Sequence, residues 1–347
     1  MRIAVYKDNL STGRGADSAV RNFADGLAER GHEVVLMEKA EFFARVLARS
    51  SSDDLRVKPD DFDIVVATGS NEIVDMDMAG YFSRPHRAKV VLQLHLAPQG
   101  FFKWKHPIRN RRIRAAFDKP DAVQLLCSSY EAEFRRIAPH PRVFIIGNFA
   151  SSAHPPQIPN SQFPILNSHT ILYPAAAVNH VKNQKLLIEA FALVADDFPE
   201  WKVRLLGKNT TPYAASCRRL ITRRGLMSRV ELVGFTNDLA AEYAGAAFIA
   251  FPSTLEGFPL ALLEAAQFAL PAVVQKALPG VSDIIKDCET GIVSDATAAA
   301  YAAALRRLMA DMSFRKCLGE NAKRFCAECY SREQILEQWE NLFAQLK

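Results

Sequence analysis

The chain has 347 residues, 49% hydrophobic and 23% charged, and a net charge of +5. That length exceeds what one core usually serves and implies two domains. The composition excludes a disordered or fibrous chain, and no apolar run reaches membrane-spanning length.

The positive excess is uneven: residues 1–150 hold 23 basic and 19 acidic residues, and the remainder holds 20 and 19. The opening MRIAVYKDN carries a short strand rather than the longer apolar core of a signal peptide, so a cytoplasmic protein is expected. No nucleic-acid partner is expected.

Residues 2–7 read as the first strand, followed by a loop containing Gly13, Arg14 and Gly15. A helix to Arg30 places Val20, Phe23, Ala24 and Leu27 on one face, and 32–37 is the next strand. Strand, glycine turn, helix and strand open a parallel α/β sheet, and a helix start behind two glycines favours an anion. The same turn also serves purely steric ends.

Residues 63–68 and 89–95 are apolar runs of the buried parallel type. The second sets His95 at a strand's C-terminal end, where a histidine serves either the structure or a ligand. The segment 103–114, KWKHPIRNRRIR, has six basic residues and no acidic one. It is either a solvated loop or helix, or a contact for an anionic acceptor or a membrane surface through Lys103, Lys105, Arg109, Arg111 and Arg112. Strands at 121–127 and 142–146 complete a first domain of about six strands over 1–150. Residues 151–167, rich in Ser, Pro and Asn, form the linker.

The pattern restarts over 168–328. Strands at 171–174, 202–206, 229–234, 248–251, 271–275 and 291–293 alternate with helices. An amphipathic helix within 329–347, carrying Ile335, Trp339, Leu342 and Phe343, closes the chain and is expected to pack back on the first domain.

The stretch 251–274, FPSTLEGFPLALLEAAQFALPAVV, is the strongest signal. A helix is expected from Pro259, because proline suits a first helical position. Among the eighteen residues from Gly257 to Val274 only Glu264 is charged. Burying that carboxylate among apolar residues is costly without a partner, which favours one facing a ligand over a plain surface residue. Glu256 stands in the loop where a strand's C-terminal end meets a helix start, the usual ligand position in open α/β sheets.

Cys326 and Cys329 have the gap of metal and redox pairs, but no second ligand pair stands at a suitable distance, so they read as thiols near a helix end and no metal is expected. Two D-x-D triplets raise a metal-dependent transferase. Asp61-Phe-Asp63 abuts a strand start and Asp75-Met-Asp77 is expected to open a helix, so both read as caps and surface charge. A two-domain solute-binding protein is a further alternative, though it would need export.

Glu256-Gly-Phe-Pro-Leu with Glu264, between Pro252-Ser253 and Pro271-Ala-Val-Val, resembles retaining family 4 glycosyltransferases of the group 1, GT-B type. Gly13-Arg-Gly15, His95, Asn148, Lys182 with Asn183, Val230 with Gly234, and Thr290-Gly291 fall in that family's order. The resemblance implies two Rossmann-like doubly wound parallel-sheet domains facing across a cleft, the first on the acceptor side and the second on the donor side. It implies transfer of a hexose from a nucleotide-sugar, UDP-sugar favoured, with no metal or cofactor. The acceptor would be a glycan or glycolipid, such as lipopolysaccharide core or another cell-surface polysaccharide, with peripheral contact to an anionic membrane. Carried over, Glu264 accepts from the ribose hydroxyls. Glu256 holds the sugar, helped by Gly257, Phe258, Pro259 and Leu260. Lys182 and Gly13, Arg14 and Gly15 meet the diphosphate, and His95 lies by the reacting face of the sugar.

Two departures stand out. Pro174-Ala-Ala-Ala177 occupies the place of the family's Gly-Arg, leaving Lys208 or Arg14 as a substitute cation and an inactive sugar-nucleotide-binding relative as the alternative. Ala269 stands where many members have glycine; in a left-handed cap it would cost about 1 kcal/mol, which suggests another helix ending.

Overall fold

The computed structural model describes residues 1–10, 15–44, 62–83, 86–100, 107–150 and 168–347. The expected linker, Gly13, Arg14, Lys103, Lys105 and Asp61 lie outside the described residues. The chain divides into two compact units, Met1–Ser151 with Arg332–Lys347, and Ser152–Ser331.

The first unit runs β1 (Arg2–Lys7), α1 (Gly15–Glu29), β2 (Glu33–Glu38), α2 (Lys39–Phe42), β3 (Ile64–Ala67), α3 (Ser70–Met78), β4 (Lys89–Gln93), α4 (Pro107–Phe117), β5 (Ala122–Leu125), α5 (Glu131–Ile137) and β6 (Val143–Ile145). All neighbours pair in parallel, in the order β2-β1-β3-β4-β5-β6. β3 and β5 are buried at every position, as expected of strands covered on both faces. The order reverses between β1 and β3, which makes their C-terminal ends a topological switch point.

The second unit runs β7 (Thr170–Tyr173), α6 (Gln184–Ala192), β8 (Lys202–Leu206), α7 (Pro212–Arg223), β9 (Val230–Gly234), α8 (Leu239–Ala244), β10 (Phe248–Phe251), α9 (Leu260–Gln267), β11 (Ala272–Gln275), α10 (Val281–Ile284), β12 (Gly291–Ser294), α11 (Ala298–Ala310) and α12 (Met312–Cys329). Its sheet is also parallel, ordered β12-β11-β10-β7-β8-β9, with the switch between β7 and β10.

The last helix, α13 (Arg332–Ala344), returns to the first unit. The Trp339 ring lies 4.6 Å from that of Phe23, and Glu340 takes Arg30 at 2.7 Å and His32 at 2.9 Å. Gly26 admits Leu336, whose methyl carbon would stand only 2.8 Å from a Cβ there. No described helix is long and apolar enough to cross a membrane.

Three sequence expectations are corrected. Asp75 and Asp77 do not open a helix: they lie in the last turn of α3, held by Lys39 at 2.7 Å and Lys119 at 3.8 Å. Pro259 caps α9 rather than forming its first residue. Ala269 does adopt the left-handed conformation, with φ 55°. The Leu270 amide donates to the Ala265 carbonyl and the Ala269 amide to that of Ala266, so the ending is a Schellman motif built on alanine.

Candidate functional site

At the switch point of the second sheet, the loops after β7 and β10 are tied to one another. The Tyr173 hydroxyl, on the last residue of β7, lies 2.7 Å from the Lys182 carbonyl and 2.8 Å from Ser253 Oγ. The Thr254 amide donates to the Val181 carbonyl at 2.8 Å. The Lys182 amide donates to Asn179 Oδ1, and Asn183 takes a left-handed conformation (φ 52°), which asparagine tolerates better than most residues. These constraints throw the Lys182 side chain across the loop pair, where its Nζ meets Glu256 Oε1 at 2.5 Å. The two side chains are 19% and 13% exposed, so the pair is largely withdrawn from water. Sequence reasoning assigned Lys182 and Glu256 to different parts of a donor; the structure brings them into contact.

Glu264, on α9, is half-buried. Its carboxylate is not alone: the Tyr243 hydroxyl of α8 donates to Oε2 at 2.8 Å. Burial raises the Glu264 pKa above the ordinary range, and the tyrosine bond opposes that rise. Sequence reasoning missed Tyr243. The available signal was the need of a lone carboxylate on an apolar helix for a donor, but no spacing marks which of the eight tyrosines supplies it.

Between the two glutamates, Phe258 is buried and meets the Tyr330 ring edge-on at 5.6 Å. Of the backbone amides implied for the sugar, that of Leu260 donates to the Phe258 carbonyl at 2.9 Å. Gly257 and Pro259 complete the turn into the positive end of α9.

The alanine run 175–177 is closed by a backbone crossing. Gly207 (φ 107°) lies so near Ala175, Ala176 and Ala177 that a Cβ there would overlap their backbone. The Lys208 amide donates to the Ala176 carbonyl at 3.0 Å, and the Val178 amide to the Lys208 carbonyl at 3.0 Å. The exposed Lys208 side chain therefore rises from backbone bridged directly to the position where the expected arginine is missing.

In the first unit, His95 follows β4. Its Nε2 is shut off from water and has no hydrogen-bond partner among the described residues. Burial, then the nearby Lys7 charge, press its pKa down to about 3, so the ring is neutral. Lys7 lies 3.9 Å from Glu72, whose Oε1 accepts the Asp8 amide at 3.1 Å. Gly15 is the first residue of α1. Arg109, Arg111 and Arg112 lie on α4, where Arg109 donates to Asn71 Oδ1 at 3.1 Å.

The cysteine pair separates: Cys326 is buried, Cys329 exposed. Burial pushes the Cys326 thiol up to about 11, so it stays protonated and makes a poor ligand or nucleophile.

Residues 158–325 match the family model described as "Glycosyl transferases group 1". The chain carries a glycosyltransferase domain. The chain is 34% identical over 183 residues to an exopolysaccharide phosphotransferase of Streptomyces coelicolor, covering 52% of this chain and 19% of that protein. An amylovoran biosynthesis glycosyltransferase of Erwinia amylovora, AmsD, is 24% identical over 58% of this chain and 55% of its own length. The chain thus spans about half or less of these curated relatives. The structure of Anabaena HepE in complex with UDP superposes with a TM-score of 0.79 at 18% identity, over 99% of this chain and 100% of that one. This likeness shows the fold: two parallel six-stranded sheets with flanking helices, as in GT-B glycosyltransferases.

Proposed function

We propose that the chain transfers a hexose from a nucleotide-sugar, a UDP-sugar by preference, to a glycan or glycolipid of the cell surface, with retention of anomeric configuration and without a metal. The observation that carries this reading is the Lys182–Glu256 pair at the β7/β10 switch point, with Glu264 on the helix that follows. A cation for the diphosphate, a carboxylate for the sugar and a carboxylate for the ribose are the groups that a nucleotide-sugar's three polar parts call for. HepE, solved with UDP, supports the choice of nucleotide. The names of the Streptomyces and Erwinia relatives support a cell-surface polysaccharide.

In the reaction, Lys182 exchanges Glu256 for the diphosphate and the freed carboxylate accepts from the sugar hydroxyls. Lys182, Lys208, Gly13, Arg14 and Gly15 are assigned to the diphosphate. Charge on the leaving group is met by these cations, by the Gly257 and Phe258 amides and by the positive end of α9. His95, neutral and lacking a partner on Nε2 among the described residues, is assigned to the reacting face of the sugar. No second carboxylate is assigned as a covalent nucleophile, so attack proceeds on the leaving-group face within an ion pair.

The test is calorimetric titration of UDP and turnover of UDP-hexoses, with and without EDTA. Lys182→Ala and Glu264→Ala variants that match the parent in UDP affinity and turnover would overturn the assignment. A second reading, a sugar-nucleotide-binding relative without transfer, is favoured by the alanine run at 175–177; UDP binding with no UDP release from any UDP-hexose would establish it.

A further inference from the structure

The first sheet has a ligand position of its own. Its switch point lies between β1 and β3, and Asp8 follows β1, Lys39 follows β2, and Asn71 stands in the first turn of the helix after β3. With Asp75 of α3 and Arg109 and Arg112 of α4, these residues line a cavity of about 290 Å³. Pockets for small ligands begin at roughly 300 Å³, so the space suits one monosaccharide unit rather than a chain. Three cations and two carboxylates line it, leaving the wall net positive.

The charges are not interchangeable. Lys39 Nζ holds Asp75 Oδ2 at 2.7 Å, and the Tyr6 hydroxyl donates to the same oxygen at 3.3 Å. Arg109 is braced by Asn71. Arg112 rests on the Met78 sulfur at 3.6 Å, a weak acceptor easily replaced by an oxyanion. The α4 side is therefore suited to an anion, through planar guanidinium groups that match phosphate and carboxylate. Asp8, Asp75 and the Asn71 side-chain amide, in the same lining, are suited to hydroxyls. Ile108, 62% exposed at the same cavity, offers an apolar edge to the face of a sugar ring.

We infer that this groove binds a sugar bearing an anionic group, a sugar phosphate or a uronic acid, and so selects an acidic acceptor. The acceptor part rests on the transferase reading above; the binding site does not. The test is thermal shift on the full chain with glucose 6-phosphate, glucuronate, glucose and inorganic phosphate at matched ionic strength, and with UDP as a control. One or both anionic sugars are expected to raise Tm more than glucose or phosphate does. Arg109→Gln and Arg112→Gln are expected to weaken that response at least tenfold in concentration while leaving the UDP response intact. A response to only one of the two assigns the group as phosphate or carboxylate. No response to either, or a response that both variants retain, overturns the site. Binding to phosphatidylglycerol vesicles that Arg112→Gln weakens, with no response to either sugar, also overturns it in favour of a membrane face. A sugar response that depends on Arg112 in a chain that ignores UDP supports the groove and removes the transferase reading instead.

Discussion

Lys182 Nζ and Glu256 Oε1 meet at 2.5 Å across 74 residues of sequence, because β7 and β10 are neighbours at the point where the sheet order turns back. The pair answers an otherwise awkward arrangement. A cation and a carboxylate this far withdrawn from water would each pay a desolvation penalty if left alone. Each satisfies the other, and in the proposed reading a donor separates them.

That relationship predicts an asymmetric response. On the proposed assignment Lys182→Met removes the diphosphate contact, and hydrogen bonds to charged groups are worth about 1.5–3 kcal/mol, so UDP affinity should fall roughly ten- to a hundredfold. Glu256→Gln frees the lysine and leaves UDP affinity nearly unchanged, but it removes a sugar contact and should lower turnover of UDP-hexose. Titration with UDP alone and with the intact donor separates the two effects. Equal losses of UDP affinity in both variants would contradict the division of roles.

Glu264 predicts a pH dependence. Its folded pKa is raised by burial, so ionising it costs more in the folded chain than in the unfolded one. The favourable contribution of its protonated form is complete at low pH and is lost as pH rises through the folded pKa. Donor binding runs the other way if Glu264 holds the ribose as proposed, since the hydroxyls are best met by the ionised acceptor: UDP affinity should fall as pH drops through that raised value. Tyr243→Phe removes the bond that opposes the rise and should move the fall to higher pH, and Glu264→Gln should flatten it. An affinity–pH curve unmoved by Tyr243→Phe would show that the hydroxyl does not tune the carboxylate.

Much of this was legible in the chain, for physical reasons. Apolar runs such as 64–67 and 248–251 announce parallel strands because both faces are covered, and the Glu256–Glu264 spacing announces its loop and helix. Partners supplied by non-local packing were not legible. Nothing near Glu264 in sequence points to Tyr243 on the preceding helix, and nothing near Asp75 points to Lys39. The Asp75 triplet misled for a related reason: acidic residues favour helix starts, but two lysines from elsewhere make a last turn equally habitable. At Ala269 a local preference was overridden. Its carbonyl packs against Gly319 of α12, and that contact together with the two Schellman bonds holds the alanine in a left-handed state.

Two backbone substitutions should act in opposite directions. Ala269→Gly relieves a left-handed alanine and should stabilise the second unit by about 0.5–1 kcal/mol, read by urea unfolding. Gly207→Ala places a methyl group into the 175–177 backbone at φ 107° and should destabilise the same unit by more than about 1 kcal/mol. It should also weaken UDP binding if Lys208 serves the diphosphate, because the crossing that carries Lys208 must shift. Wild-type stability in Gly207→Ala would contradict the crossing itself.

His95 predicts acid sensitivity in the first unit. Burial and the Lys7 charge press its folded pKa to about 3, whereas an unfolded histidine takes up its proton near about 6.5. A depressed folded pKa gives stability that is present above the unfolded value and lost as pH falls toward the folded one. Between those limits acid should therefore favour unfolding of β4 and its neighbours. His95→Asn should flatten the slope, which hydrogen exchange in β4 between pH 7 and pH 4 measures directly. The same neutrality bears on the proposed chemistry: with the ring uncharged from pH 5 to pH 8, it can accept or donate one hydrogen bond through Nε2 but would bring no positive charge to a sugar placed there. A rate profile whose step in that range disappears in His95→Asn would show that the ring titrates there, and would contradict the neutral histidine this packing enforces.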